Sequence, residues 1–527
     1  MKEKSILSVS ISILILAIIS MTVADNNQSP LYPKAYGIIG KGKYMFPVNM
    51  GDAPVKIDSK HQLFVDDFLI KSMTNIEREY HKLERHSDNP LWSSEQNMEQ
   101  PFFVMRNEKG LFRLWYRQRI RFIDKEGNQR RFPTAYIESQ DGLHWQAPNL
   151  GVIEADGNTE NNYVFEKGLY GIIYEPWETN PNRRFKGLAL FEPFSDENQK
   201  EPVEGYWLYV SPDGIRWNRE REHPVLTSSL RKYDPPLEGI GDTSTFRWDP
   251  ILNKYIANTK LLIKDDEAFQ NKYRAFGIAE SDDLIHWTQP RILFYRDELD
   301  PEDMQIYSHE TFHYESMWFG IIKTMIIIEF QYERFWKHCE LQLSLSRDGR
   351  NFLRSENRTL FLPTPENTDA WDLDYPSTAP GSPIRIGNEL WFYYTDHRHW
   401  SRDSDGPFPE ADSMHLGLAT LRVDGFASLN AGDSVGTVVT RPLTFEGNSL
   451  FINAEIENGG YIQAEFRTVW GQQVGSYSSE KCQKITGNVY KAQIVWEDTG
   501  SIELPVNESF RLVFELKNAK LYSFWIE

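Results

Sequence analysis

The sequence predicts an all-β protein, a five-bladed β-propeller followed by a C-terminal β-sandwich. Three observations predict it. One turn motif is written five times at intervals of about seventy residues. Apolar runs of strand length fill the space between the copies. No sustained 3.6-residue period appears between residues 60 and 426, where helices would need one.

The turn copies come in order. SQDGLHW runs from Ser139 to Trp145, SPDGIRW from Ser211 to Trp217, SDDLIHW from Ser281 to Trp287 and SRDGRNF from Ser346 to Phe352. A degraded fifth copy, TLRVDGF, runs from Thr420 to Phe426. Ser and Asp side chains bond the backbone of a tight turn, Gly accepts a positive φ, and the aromatic residue starts the next strand in the core. These aspartates therefore read as structural. Between the turns lie runs such as LFRLWYR, KYIANTK, YRAFGIAES and ELWFYYTD, separated by turn signals such as RNEKG, DPILN and RIGN. A unit of four antiparallel strands used five times is the pattern of a propeller over residues 61–426, since a parallel solenoid needs a much shorter period.

The flanks read differently. Lys2 and Lys4, the apolar run ILSVSISILILAIIS and the small residue Ala24 have the form of a secretory signal peptide over residues 1–24. Residues 25–60 read as an irregular lead-in. From residue 427 to 527 alternating strands with Gly, Asn and Asp turns read as a β-sandwich. The expected location is periplasmic or extracellular, with no membrane association after cleavage. The two cysteines, Cys339 and Cys482, fall in different domains, so neither a structural disulfide nor a Cys metal site is expected.

The formal charge of −19 excludes nucleic-acid binding through general electrostatics. One basic run, RQRIRFIDKEGNQRR from Arg117 to Arg131, stands out against that background. Arginines there suit carboxylate or sulfate groups of an acidic sugar; a solvated charged loop is the plainer reading.

In a propeller the innermost strands converge on the axis. Counting back 42 to 46 residues from each turn aromatic reaches Glu99, Gly171, Asp242, Glu310 and Gly381. Three of these five positions carry a carboxylate that opens a strand, in MEQPFFV, GDTSTFRW and HETFHYE. Carboxylates converging at one mouth raise one another's pKa, so one stays protonated while another stays ionised. Glycoside hydrolysis needs that division. The second strands return to the same face, placing Arg117, Arg119, Lys260, Lys323, Asp396, His397 and Arg398 beside the substrate, with His309 next to Glu310. His309, His397 and His399 do not form a trustworthy ligand spacing. No metal or other cofactor is expected. Asp66 and Asp67 read as the end of an outer strand.

The five spaced turns and the acids opening inner strands resemble the five-bladed propellers of glycoside hydrolase families 32 and 43. The tail LTFEGNSLFINAEI…LKNAKLYSFWIE is similar to the sandwich that follows the propeller in family 32, and HQLFVDDFLI…HSDNPLW is similar to uncharacterised bacterial proteins of that kind. The Asn-Asp-Pro-Asn, Arg-Asp-Pro and Glu-Cys motifs of family 32 do not occur, so fructosidase activity is not carried over. The resemblance implies an exported glycoside hydrolase acting on a polysaccharide or its oligosaccharides. Glu310 would be the general acid and Glu99 the base or nucleophile. Asp242 would orient the sugar or tune the acid. No obligate protein partner is expected. A non-catalytic carbohydrate-binding propeller, or a polysaccharide lyase using Tyr or His as base, are the alternatives.

Overall fold

A computed structural model of the chain describes residues 53–93, 98–191, 205–226, 237–241, 243–263, 273–294, 296–301, 304–331, 334–355, 357–367, 370–396, 401–402, 414–497 and 501–527. The stretch read as a signal peptide lies outside the described residues. Among the described residues no helix is long and apolar enough to cross a membrane.

Five antiparallel sheets follow one another along the chain and form the five blades. In blade one, Met98–Arg106, Phe112–Gln118, Thr134–Ser139 and Trp145–Gln146 pair in sequence. Blade two is built by Leu169–Tyr174, Phe185–Phe191, Gly205–Ser211 and Asn218–Arg219. Blade three has a divided inner strand, Leu237–Ile240 and Thr245–Asp249, against Lys254–Ile263, followed by Tyr273–Ser281 and Arg291–Phe294. Blade four runs Met304–Tyr314, Met317–Gln331, Arg334–Ser346 and Leu353–Arg354. In blade five Glu389–Asp396 pairs with Ser377–Thr378 and Ile384–Ile386 on one side and with His415–Arg422 on the other.

The outer edge of blade five is supplied from the start of the chain. Glu84–Arg85 and Trp92–Ser93 pair with His415–Arg422. The ring is thus closed by strands from both ends of the propeller segment, which removes an unpaired edge from the last sheet.

The turn motif does what its residue types dictate. Ser139 Oγ accepts from Gly142 N at 2.9 Å, and Asp141 Oδ1 accepts from the backbone of Leu143 and His144 at 2.8 Å each. The same bonds recur at Ser211 and Asp213, and at Ser346 and Asp348. At Ser281 and Asp283 the aspartate bonds are kept, but Leu284 takes the glycine's place at φ 64°. The fifth copy has been turned to another use. Asp424 is fully buried, and its carboxylate accepts from Tyr314 Oη at 2.8 Å, Ser523 Oγ at 2.6 Å and Asn453 Nδ2 at 3.0 Å, with His61 Nδ1 at 2.8 Å. It ties blade four to the C-terminal sheet.

Among the described residues that C-terminal sheet has ten strands. Two long strands, Leu450–Thr468 and Phe510–Ile526, pair along most of their length. Leu450, Ile452 and Ala454 share one core with Ile462, Ala464 and Phe466. Residues 55–80, partly counted above with the propeller, join this sheet: Gln62–Leu63 pairs with Phe510–Ile526, Ile70–Thr74 with Gly436–Thr440 and Glu77–Tyr80 with Ala427–Ala431. Short strands of this kind lack the length to show a period, which is why their partners were not legible.

Candidate active site

The inner strands line a central channel, and two glycines let them approach. A Cβ on Gly171 would lie 2.5 Å from the Phe246 ring, and one on Gly381, at φ 93°, would lie 2.1 Å from the Val104 carbonyl oxygen. These are the two glycines that the count placed at the positions equivalent to the acids.

The hydrogen-bond ladders give the true levels along the channel. Phe112, Phe185, Tyr255 and Trp318 pair with the Ser that opens each turn motif, so they are equivalent. Three residues further along, the inner-strand partners are Phe103, Gly171, Thr245 and Glu310. Six residues further along they are Met98, Ile240 and Ile306. Glu99 therefore stands two to three residues nearer the channel mouth than Glu310, on the order of 8 Å along a strand. The count failed because it was not held equal: Phe103, Thr245 and Glu310 each stand 42 residues before their turn aromatic, whereas Gly171 stands 46 before its own, and applying 46 to blade one overshot Phe103 to reach Glu99.

The Glu310 side chain reaches across to blade five. Its carboxyl Oε2 accepts from Thr378 Oγ1 at 3.1 Å. Burial pushes its pKa up to about 8, against the opposing pull of the Thr378 hydrogen bond and the Lys323 ammonium. Lys323 is buried on the neighbouring strand. Its Nζ donates to Ser377 Oγ at 2.7 Å and sits 3.2 Å from the Tyr375 ring centroid. Desolvation brings its pKa down to about 8, opposed by the negative charges of its surroundings, Asp396 and Glu310 among them. An acid that holds its proton and an amine that loses one easily thus stand within electrostatic reach of each other.

Around them stand most of the predicted residues. Glu99 forms an ion pair with Arg117 at 3.1 Å, and Arg117 donates to Tyr170 Oη at 3.0 Å. Burial lowers the pKa of Arg119, with Arg117 acting in the same direction and Glu99 against it. Lys260 is buried with Nζ 5.2 Å from the Tyr307 ring centroid. Asp396 is buried and accepts from Tyr375 N at 2.6 Å. Asp242, His397 and Arg398 lie outside the described residues. Next to the first of these, Thr243 Oγ1 donates to Tyr307 O at 3.0 Å and Gly241 N donates to Lys260 O at 2.6 Å.

His309 is the exception among the residues expected to touch substrate. Strand alternation points it away from Glu310 and into blade four, between Phe294 and Phe352, with ring centroids 5.0 Å away on each side. Its Nε2 shares a 2.9 Å hydrogen bond with Ser344 Oγ, and burial drives its pKa down to about 3. It is a neutral core histidine. The basic run is also largely spent on its own neighbours: Arg130 pairs with Asp124 at 2.7 Å and with Glu166 at 3.3 Å.

Sequence reasoning did not find Tyr307, Tyr375 and Thr378. Tyr375 lies in a stretch without strand pattern, and nothing local marks it. Below Glu310 the channel continues as a cavity of about 450 Å3. Among the described residues no cluster of His, Cys, Asp and Glu is arranged to hold a metal ion.

No protein-family model and no curated protein matches the chain. Solved structures do. A β-1,2-mannobiose phosphorylase from Listeria innocua matches at 12% identity and TM-score 0.41, over 66% of this chain and 98% of its own. A family-32 β-fructofuranosidase from Bombyx mori matches at 12% identity and TM-score 0.37, over 85% and 94%. A fructofuranosidase from Schwanniomyces occidentalis matches at 10% identity and TM-score 0.36, over 84% and 97%.

Proposed function

We propose that the protein is a glycoside hydrolase acting on a polysaccharide or its oligosaccharides, with Glu310 as general acid. The observation that carries this is the placement of Glu310: its carboxyl is bonded to Thr378 inside the channel, beside the mouth that holds Glu99 and Arg117, and burial that pushes its pKa up to about 8 lets it keep a proton at neutral pH and give it to a leaving glycosidic oxygen. Glu99, paired with Arg117 at the mouth, is the candidate base or nucleophile. Asp242, outside the described residues, is assigned to orient the sugar or tune the acid.

Lys323 takes a part that the sequence did not assign. Its charge opposes the burial of Glu310, so it limits how far the acid's pKa climbs. Arg119, Lys260 and Lys323 gather positive charge at the mouth, which suits carboxylate or sulfate substituents. Acidic plant and algal glycans are therefore the first substrates to test. Tyr375 has its pKa raised well above the ordinary tyrosine value, chiefly by burial, which argues against a lyase that needs a tyrosinate base at neutral pH. Export to the periplasm or beyond belongs to the same reading, as secreted enzymes meet such polymers.

The test is a screen of plant and algal polysaccharides with product analysis, on wild type and Glu310→Gln. Reducing-sugar release by the wild type and a loss of about 10²- to 10⁴-fold in the variant are expected. Undiminished release by Glu310→Gln refutes the assignment. An unsaturated product absorbing in the ultraviolet would support the lyase instead.

A further inference from the structure

The cavity beneath Glu310 runs to the hairpin ends of the inner strands, at the face opposite Glu99. Its volume of about 450 Å3 falls within the usual range of ligand pockets. The wall there is aromatic. Trp177 is 58% exposed, a rare condition for so large an apolar side chain. Its ring lies 6.3 Å from that of Trp248, which packs edge-on to Tyr255 at 4.8 Å. Tyr174 and His313 complete that part of the lining.

The charges nearby are used up. Lys186 bonds Glu175 and Glu178, and Arg183 bonds Glu220. Arg247, which lines the cavity, gives Nη1 to Asp249 at 2.5 Å and Nε to Thr311 Oγ1 at 2.6 Å. An ionic ligand would therefore find no uncompensated charge among these groups. Two polar atoms of lining residues, Arg247 Nη2 and Asn258 Oδ1, have no hydrogen-bond partner. One is a donor and the other an acceptor. Such groups are costly to leave unpaired, and a hydroxyl serves both.

Flat aromatic faces beside an unused donor and an unused acceptor, with no net charge, match an uncharged polyhydroxyl ligand that has an apolar side. We propose that the far mouth of the channel is a second glycan-binding site, in which Trp177 and Trp248 hold a neutral stretch of polysaccharide. This goes beyond the hydrolase reading and rests on it only for the choice of polymers to try.

Affinity electrophoresis of the full chain, in gels cast with arabinan, xylan, mannan or inulin, tests it. The Glu310→Gln background keeps the polymer intact. At least one polymer is expected to retard the protein. Trp177→Ala should weaken that retardation about tenfold, while Trp470→Ala, at another exposed tryptophan, should match its parent. Trp177 is exposed, so its removal spares the core, and thermal melting of the variant verifies this. Equal retardation of Trp177→Ala and its parent overturns the proposal, as does retardation by none of the polymers. Retardation through Trp177 by a protein that hydrolyses no glycan would defeat the hydrolase reading and leave this site standing.

Discussion

Where the inner strands begin, Glu99, Arg117, Lys323 and Glu310 bring four ionisable side chains to one mouth, and burial forces two of them toward neutrality. Where the same strands end, Trp177, Trp248 and Tyr174 line the wall, and the charges near them are paired. One set of strands thus builds two environments. The difference arises because alternation and bulges decide which residues reach the axis at each level. Ionisable groups held in a dry space acquire unusual pKa values, which is what proton transfer needs. Aromatic faces with matched charges offer contact area without proton chemistry.

The largest effect expected at the mouth is the loss of hydrolysis in Glu310→Gln described above. Lys323→Met sharpens the assignment. Glu310 must be protonated to act, so the rate of the wild type should fall as pH rises through about 8. Lys323 holds that pKa down, so removing its charge should move the alkaline limb of the rate profile to higher pH. An unchanged limb in Lys323→Met would show that the two groups are not coupled. At the opposite mouth, Trp177→Ala should cost about tenfold in polymer binding and leave the position of the alkaline limb where it is.

A further effect, read in stability and not in activity, belongs to the blade interior. The folded-state pKa of His309 is depressed to about 3, so between the unfolded value near 6.5 and pH 3 the unfolded chain binds a proton that the folded chain refuses. Stability should therefore fall with acidification over that window, by about 1.4 kcal/mol per pH unit from this group alone. His309→Gln should flatten the slope of denaturant-measured stability by that amount. An unaltered slope would mean that the histidine is not held neutral.

The propeller was legible because four of the blades end in a turn whose side-chain bonds are local: Ser211 and Asp213 need nothing beyond the six residues from Ser211 to Arg216. The fifth copy shows the limit. Asp424 has the same motif position, but its partners His61, Asn453 and Ser523 come from far along the chain. Closure of the ring by Glu84–Arg85 and Trp92–Ser93 was hidden for a different reason, as a strand of two residues has no period. At the site, residue types found Glu99 and Glu310, but counting could not see that blade two is longer than its neighbours, which offset the two acids, nor the alternation that turns His309 inward. Lys323 was visible as a strand-end cation, whereas its contact with Tyr375 joins blade four to a stretch without pattern.

The central claim is that Glu310 carries a proton at neutral pH. Infrared difference spectra of wild type against Glu310→Gln, recorded between pH 5 and 10, read this without any substrate. A carboxylic acid band present in the wild type at pH 7, absent from the variant and lost with a midpoint near 8, is the expected result. A Glu310 carboxyl already ionised above pH 5 would contradict the account.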